Sequence, residues 1–155
     1  AATARERGVE TLEEVFGAIH NAGGLAGIHV CANTDWGLVL STGVDVVNFD
    51  AYGYAERFLL YADAVKAFLA RGGLVAWGIV PTGPADVIEK ASVETLAARW
   101  DKLFAAAGRA GLDPDVLRRQ SFITPSCGTG SLSVGHAQKV LDLTRELSRF
   151  VRRGE

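Results

Sequence analysis

Cysteine is scarce in this chain of 155 residues, which contains Cys31, Cys127 and no others. Two cysteines far apart in the chain fit neither the disulfide framework of a small secreted domain nor a pair of adjacent CxxC zinc knuckles. Their scarcity therefore excludes a disulfide-stabilised scaffold. It also favours a reducing, cytoplasmic setting.

An excess of charge and a long hydrophobic run are also missing. The chain has 16 basic and 18 acidic residues, for a formal net charge of −2, so it lacks the basic field that holds nucleic acids or anionic membranes. The longest uninterrupted apolar run spans residues 74–80, far short of the ~20 residues that a transmembrane helix needs. We therefore expect neither a nucleic-acid partner nor a membrane span.

Methionine is absent altogether, and residues 1–7 have no apolar core of the kind that a secretory signal requires. We expect that the beginning of the protein has been removed or lies elsewhere.

The overall composition is ordinary for a globular protein, with 48% hydrophobic and 22% charged residues and no low-complexity linker. Residues 1–155 are therefore predicted to form a single unit.

Short apolar segments alternate with amphipathic segments along the chain. The apolar segments are typical of buried parallel strands, and their predicted ranges are 25–30, 44–50, 74–79 and 121–124. The amphipathic segments have helical periodicity, and their predicted ranges are 11–21, 35–41, 54–71, 92–108 and 134–151. This alternation predicts an α/β fold built as a parallel β/α array. Because a closed (β/α)8 barrel takes ~250 residues, the chain is either half of a barrel or a small open doubly wound sheet.

In both architectures the functional residues lie at the carboxyl ends of the strands. The first predicted strand ends in His29 and Cys31, the second ends in Asp50, and Cys127 follows the fourth. Residues two apart on a strand project to the same face, so His29 and Cys31 can chelate one ion. Cys127 adds a second thiolate, and Asp50 can complete a mixed ligand set. Imidazole and thiolate ligands favour zinc over magnesium or calcium, so Zn²⁺ is the predicted cofactor.

Other interpretations of these residues stay open. Either cysteine can be a small buried hydrophobe, and Asp50 can be a helix or loop cap. Cys127 can instead be the nucleophile of a metal-free hydrolase or acyltransferase, with His29 as its base and a helix dipole lowering its pKa. The Gly-Thr-Gly-Ser segment at 128–131 can cradle a phosphate.

The sequence resembles a known family in two segments and in the acidic residue that ends the second strand. The segments are Ile28-His29-Val30-Cys31 and Thr124-Pro125-Ser126-Cys127-Gly128. They resemble the carboxyl-terminal half of the catalytic barrel of the cobalamin-independent methionine synthases. The wider group includes uroporphyrinogen decarboxylase and the zinc-dependent methyltransferases that work with corrinoid proteins. The resemblance covers about residues 25–148, and it implies that the chain holds the last four strand–helix units of a TIM (β/α)8 barrel.

The resemblance also implies an activity. His29, Cys31 and Cys127 match the family's zinc ligands. Asp50 stands where these methionine synthases place a glutamate as fourth ligand, which makes Asp50 the catalytic candidate at a labile metal position. In such enzymes zinc converts a substrate thiol to a thiolate. Homocysteine is the expected acceptor, and a methyl-corrinoid protein or methylfolate is the expected methyl donor.

Three further residues, Asn33, Tyr52 and Trp77, are expected to shape the substrate pocket. Half a barrel has an unpaired strand at each edge, so we expect the chain to pair with the missing barrel half or with another copy of itself. The same edges keep an alternative open, in which the chain is a noncatalytic zinc-binding or assembly module.

Overall fold

The computed structural model describes residues 3–153, which fold as one parallel sheet flanked by helices. The strands of this range are β1 (Gly27–Val30), β2 (Val46–Phe49), β3 (Leu74–Val80) and β4 (Ser121–Pro125). Its helices are α1 (Ala4–Asn21), α2 (Trp36–Ser41), α3 (Ala51–Leu59), α4 (Ala62–Ala70), α5 (Ala85–Lys90), α6 (Val93–Arg109), α7 (Pro114–Arg119) and α8 (Val134–Arg153). Every helix within this range is too short or too polar to cross a membrane.

The four strands pair in parallel and follow the chain in the order β1-β2-β3-β4. The predicted parallel β/α array is therefore confirmed. A doubly wound sheet needs a point at which the strand order reverses, and residues 3–153 contain no such reversal, so that alternative is wrong. Parallel crossovers are right-handed, and sequentially ordered strands therefore collect their helices on one face of the sheet.

The core lies between the sheet and this helical layer. Phe49 of β2 and Trp77 of β3 are almost fully buried on the covered face. The Trp77 ring lies 5.5 Å from that of Phe58 in α3 and 6.3 Å from that of Trp100 in α6, measured between centroids. Edge-on packing of large rings supplies much of the apolar burial that holds α3 and α6 on the sheet.

The opposite face of the sheet, here called the open face, is exposed toward its edges, whereas β3 is buried on both of its faces. Because side chains alternate along a strand, this face carries His29 of β1, Asn48 of β2 and Phe122 of β4. His29 is exposed and Asn48 is half-buried. Phe122 remains 50% exposed, although it is a large apolar side chain in a strand. His29 and Asn48 therefore share this face, opposite the one that packs against the helices.

The first helix begins earlier than its sequence pattern predicts. The helix predicted from residue 11 begins at Ala4 instead, with a capping box at Thr3, whose hydroxyl accepts from the N–H of Glu6 while the Glu6 carboxylate accepts from the N–H of Thr3. Thr11 lies within α1, where its hydroxyl donates to the carbonyl of Arg7. The first turns of α1 are almost wholly exposed, so they have no apolar stripe by which periodicity could detect them.

The predicted helix over 54–71 is two helices, α3 and α4, that meet at Leu60 and Tyr61. Leu60 at the break is 82% exposed, whereas Phe58 before it and Val65 after it are buried in the core. Helices α5 and α7 were not predicted; α5 begins directly after Pro84, and α7 begins at Pro114. At α7 the Asp113 carboxylate caps the helix and Pro114 occupies its first turn, where the missing N–H costs nothing.

A polar cluster holds the amino-terminal end of the sheet to α1. Asp45 Oδ2 lies 2.7 Å from His20 Nε2 and accepts the N–H of Ala26, also at 2.7 Å. The bond to His20, followed by the Ala26 N–H, lowers the pKa of Asp45 from its ordinary value of 3.8. Nearby, the Arg71 guanidinium donates to the carbonyls of Leu40, Thr42 and Val44.

Asp45 should make the stability of the fold depend on acid pH. A carboxyl whose pKa is lower in the folded state stabilises that state above its unfolded pKa, and the stabilisation is lost as pH falls through the folded pKa. We expect Asp45→Asn to lower the free energy of unfolding at neutral pH, and we expect this deficit to shrink below about pH 4. Denaturant unfolding of wild type and variant at several pH values measures this difference in the free energy of unfolding. Asp63→Asn is the control, since the Asp63 side chain is fully exposed, and equal pH dependence for wild type and Asp45→Asn would contradict the prediction.

Candidate metal centre

His29, Cys31 and Cys127 form one ligand cluster in the fold. A ring nitrogen of His29 and the two Sγ atoms all lie within 4.8 Å of one another. Strands in a sheet are spaced about 4.8 Å apart, so the edges of a flat four-stranded sheet stand about 14 Å apart. His29 belongs to one edge strand, β1, and Cys127 follows the other, β4. The sheet must therefore curve, and the segment after β4 must reach back over its carboxyl end, for these atoms to meet.

The cluster can hold a metal ion. One imidazole and two thiols are the donor types that soft and borderline metals prefer over magnesium or calcium. His29 and Cys31 are exposed and Cys127 is half-buried, so an ion has access from solvent. The residues present therefore fit the zinc that the sequence predicts.

The electrostatic surroundings of Cys127 favour a cation there. Burial raises the pKa of the Cys127 thiol above its ordinary value of 9.0, and the neighbouring Cys31 and Asp50 raise it further. Each of these causes opposes a negative charge on sulfur. A divalent cation would offset the repulsion among these groups.

Asp50 lies beside the cluster and is not one of its three members. It is the N-cap of α3, and its Oδ1 accepts the Gly53 N–H at 2.8 Å. The interpretation of Asp50 as a helix cap is confirmed. Asp50 is still close enough to Cys127 to raise the pKa of that thiol, so its charge acts on the centre.

A cavity of about 310 Å³ adjoins the cluster. Cys127 and Asp50 both line it, and so does Tyr52, one of the three residues predicted to shape a substrate pocket. The guanidinium of Arg99 in α6 lies 4.1 Å from the centre of the Tyr52 ring and donates to the Tyr52 carbonyl. The complete lining is Asp50, Tyr52, Pro81, Thr82, Gly83, Pro84, Val87, Ser126 and Cys127.

Two predicted pocket residues lie elsewhere. Trp77 is fully buried in the core under the helices, and its indole N–H donates to Ser121 Oγ at 2.8 Å. The prediction that Trp77 lines the substrate pocket is wrong, because its position in β3 turns the ring away from the open face. Asn33 is exposed in the segment after β1, and it does not line the cavity beside Cys127.

Hydroxyl and amide groups that sequence reasoning missed surround the cluster. Asn48 contacts His29 directly and also bonds to Thr124. Ser126, next to Cys127, is buried; its Oγ accepts the Thr82 N–H at 3.1 Å and lies 2.9 Å from the Thr82 hydroxyl. An asparagine within the apolar run Val46–Phe49 was the one sequence signal that could have found this network, since a polar side chain in a buried strand needs a partner.

The metal-free nucleophile interpretation stays a prediction with mixed support. A His29 ring nitrogen lies within 4.8 Å of Cys127 Sγ, but α8 begins only at Val134 and burial raises the pKa of Cys127. The phosphate interpretation of residues 128–131 stays a prediction.

Comparisons with known protein families, with curated proteins and with solved structures found no match for this chain.

Proposed function

We propose that this chain carries the zinc site of a thiol S-methyltransferase similar to the cobalamin-independent methionine synthases. The observation that supports the proposal is the ligand cluster, in which His29, Cys31 and Cys127 meet from opposite edges of the sheet. These three residues are the ones that the family resemblance selects. Homocysteine is the proposed acceptor, and a methyl-corrinoid protein or methylfolate is the proposed donor.

The chemistry follows from the donor set and the adjoining cavity. Zinc bound by the cluster would supply a Lewis acid that deprotonates a coordinating thiol at neutral pH. His29, Cys31 and Cys127 hold the ion, and the cavity beside Cys127 admits a small thiol next to them. Asp50 and Tyr52 line that cavity and orient the acceptor. Asp50 also adds a negative charge near the ion, at the place that the resemblance gives to a labile fourth ligand.

We further propose that the sheet is half of a (β/α)8 barrel in a cytoplasmic enzyme. The sequential strand order, the open face and the curvature that joins β1 to Cys127 support this architecture. A complementary half, or a second copy of the chain, would then cover Phe122 and pair with the free edges of β1 and β4. These exposed edges also favour one alternative, a noncatalytic zinc-binding or assembly module.

The binding of thiols to the metal-loaded chain tests this function. We expect homocysteine to change the absorption spectrum of the cobalt-substituted protein, because a thiolate that enters the coordination sphere adds a sulfur-to-metal transition. Homoserine, the hydroxyl analogue, is the matched control and should leave the spectrum unchanged. Transfer of a labelled methyl group from methylcobalamin or methylfolate to homocysteine should then follow. A chain that binds the metal but responds to no thiol would instead be an assembly module.

A further inference from the structure

Asn48 joins the strand that carries His29 to the strand that precedes Cys127. It stands opposite His29 in the register of β1 and β2, and its Oδ1 lies 2.5 Å from His29 Nδ1. Its Nδ2 donates to the carbonyl of Ala76 at 3.0 Å and to the hydroxyl of Thr124 at 2.8 Å. One amide side chain thus crosses the open face of the sheet from β1 to β4.

The surroundings decide which way this amide points. The Ala76 carbonyl can only accept a hydrogen bond, so the group that faces it must be the Asn48 NH₂. The Asn48 carbonyl oxygen then faces His29, and this oxygen can only accept. His29 Nδ1 must therefore carry a hydrogen, and in the neutral ring the lone pair lies on Nε2, the nitrogen that remains available for a metal.

We propose that Asn48 is a positioning residue for the metal centre. It holds His29 in the Nδ1–H form with Nε2 free, and through Thr124 it ties that imidazole to the strand that ends beside Cys127. A partner on the second ring nitrogen orients a metal-binding histidine and raises its basicity as a ligand. The inference rests on the metal site of the proposed function, but the state of the His29 ring can be measured without any metal.

A purely structural role would not require this arrangement. Backbone pairing already joins β2 to β1 and β3 along its length, and an apolar side chain at position 48 would leave that pairing unchanged. On the open face, the Asn48 NH₂ group donates two hydrogen bonds and its carbonyl oxygen accepts one. Two of its three partners are the His29 ring and the Thr124 hydroxyl, and Thr124 lies three positions before Cys127.

Side-chain ¹⁵N NMR of the metal-free chain tests the first part of the proposal. We expect the His29 ring of the wild type to be the Nδ1–H tautomer, and we expect Asn48→Leu, which has a similar volume and no acceptor, to populate the Nε2–H tautomer. Asn48→Asp keeps an acceptor and should keep the Nδ1–H form, so it is the rescue variant and a second route if Asn48→Leu does not fold. His20 and His136 are internal controls, and the spectrum of His29→Ala assigns the signals.

Zinc affinity, measured by competition with a chelator, tests the second part. We expect Asn48→Leu to weaken binding by about 10–100-fold, the range for loss of a ligand's outer partner. Thr124→Val, which removes the hydroxyl and keeps the shape, should weaken it less. Asn21→Leu, at the exposed end of α1, is the control. An unchanged tautomer and unchanged affinity in Asn48→Leu would overturn the proposal, as would a wild type that binds no zinc. A chain that binds zinc and shows both Asn48 effects, but whose metal responds to no thiol, would refute the proposed function alone.

Discussion

Replacing Cys127 with serine should weaken zinc binding by more than about 100-fold, beyond the range that loss of an outer partner causes. The cluster has three protein donors within 4.8 Å, and a serine hydroxyl at position 127 is a much poorer ligand than a thiolate. The remaining pair, His29 and Cys31, lies on one short segment and holds an ion by itself only weakly. Chelator competition measures the affinity, and cobalt substitution measures the number of thiolates through the sulfur-to-metal absorption, which should fall by half.

Asp50→Asn provides the comparison for this experiment. Asparagine caps a helix about as well as aspartate, so the variant keeps the start of α3 and removes only the charge. We expect its loss of zinc affinity to be much smaller than that of Cys127→Ser, because the Asp50 carboxylate is not a member of the ligand cluster. Equal losses would make Asp50 a ligand, and full zinc affinity in Cys127→Ser would remove Cys127 from the site.

Trp77→Ala should lower the free energy of unfolding by about 3–5 kcal/mol, the usual cost of removing a large buried aromatic side chain. The Trp77 ring is fully buried and contacts the rings of Phe49, Phe58, Trp100 and Phe104. The variant also leaves the Ser121 hydroxyl without the indole N–H that it accepts. Denaturant unfolding, followed by circular dichroism, measures the loss.

Phe122→Ala is the matched control for this measurement. Phe122 is an aromatic residue on the adjacent strand, but its side chain projects to the open face and is 50% exposed. We expect its truncation to cost about 1 kcal/mol or less, as for other surface positions. If Trp77→Ala kept its stability and lost thiol binding instead, Trp77 would line the substrate pocket, contrary to its buried position in the structure.

Local patterns predict the buried elements of this fold well. The apolar run at 74–79 coincides with β3 because both faces of that strand are buried, and the helices predicted at 92–108 and 134–151 match α6 and α8 closely. Prediction fails where an element is exposed or interrupted. The polar first turns of α1 carry no hydrophobic signal. The spacing of Phe58 and Val65 does not reveal the break between α3 and α4, because residues seven apart also share one face of a continuous helix.

The candidate site likewise combines features that follow from the local sequence with features that do not. His29 lies in β1 and Cys31 directly follows that strand, two residues further on, so their proximity follows from the sequence. Whether Asp50 caps a helix or binds an ion cannot be decided locally, since an aspartate after a strand suits both roles. The role of Asn48 is equally hidden, because its partner Thr124 belongs to a strand that is distant in the chain and is brought near only by the sheet.

From its sequence alone this chain could be recognised as a parallel β/α array with chemistry-bearing residues at the strand ends. Strand periodicity, helix periodicity and the position of a residue at the end of a strand are properties of short segments. The proximity of Cys127 to His29 and Cys31 is not a property of any short segment. It depends on the curvature of the four strands and on the path of the segment after β4, and both exist only in the folded chain, where backbone twist accumulates across the whole sheet.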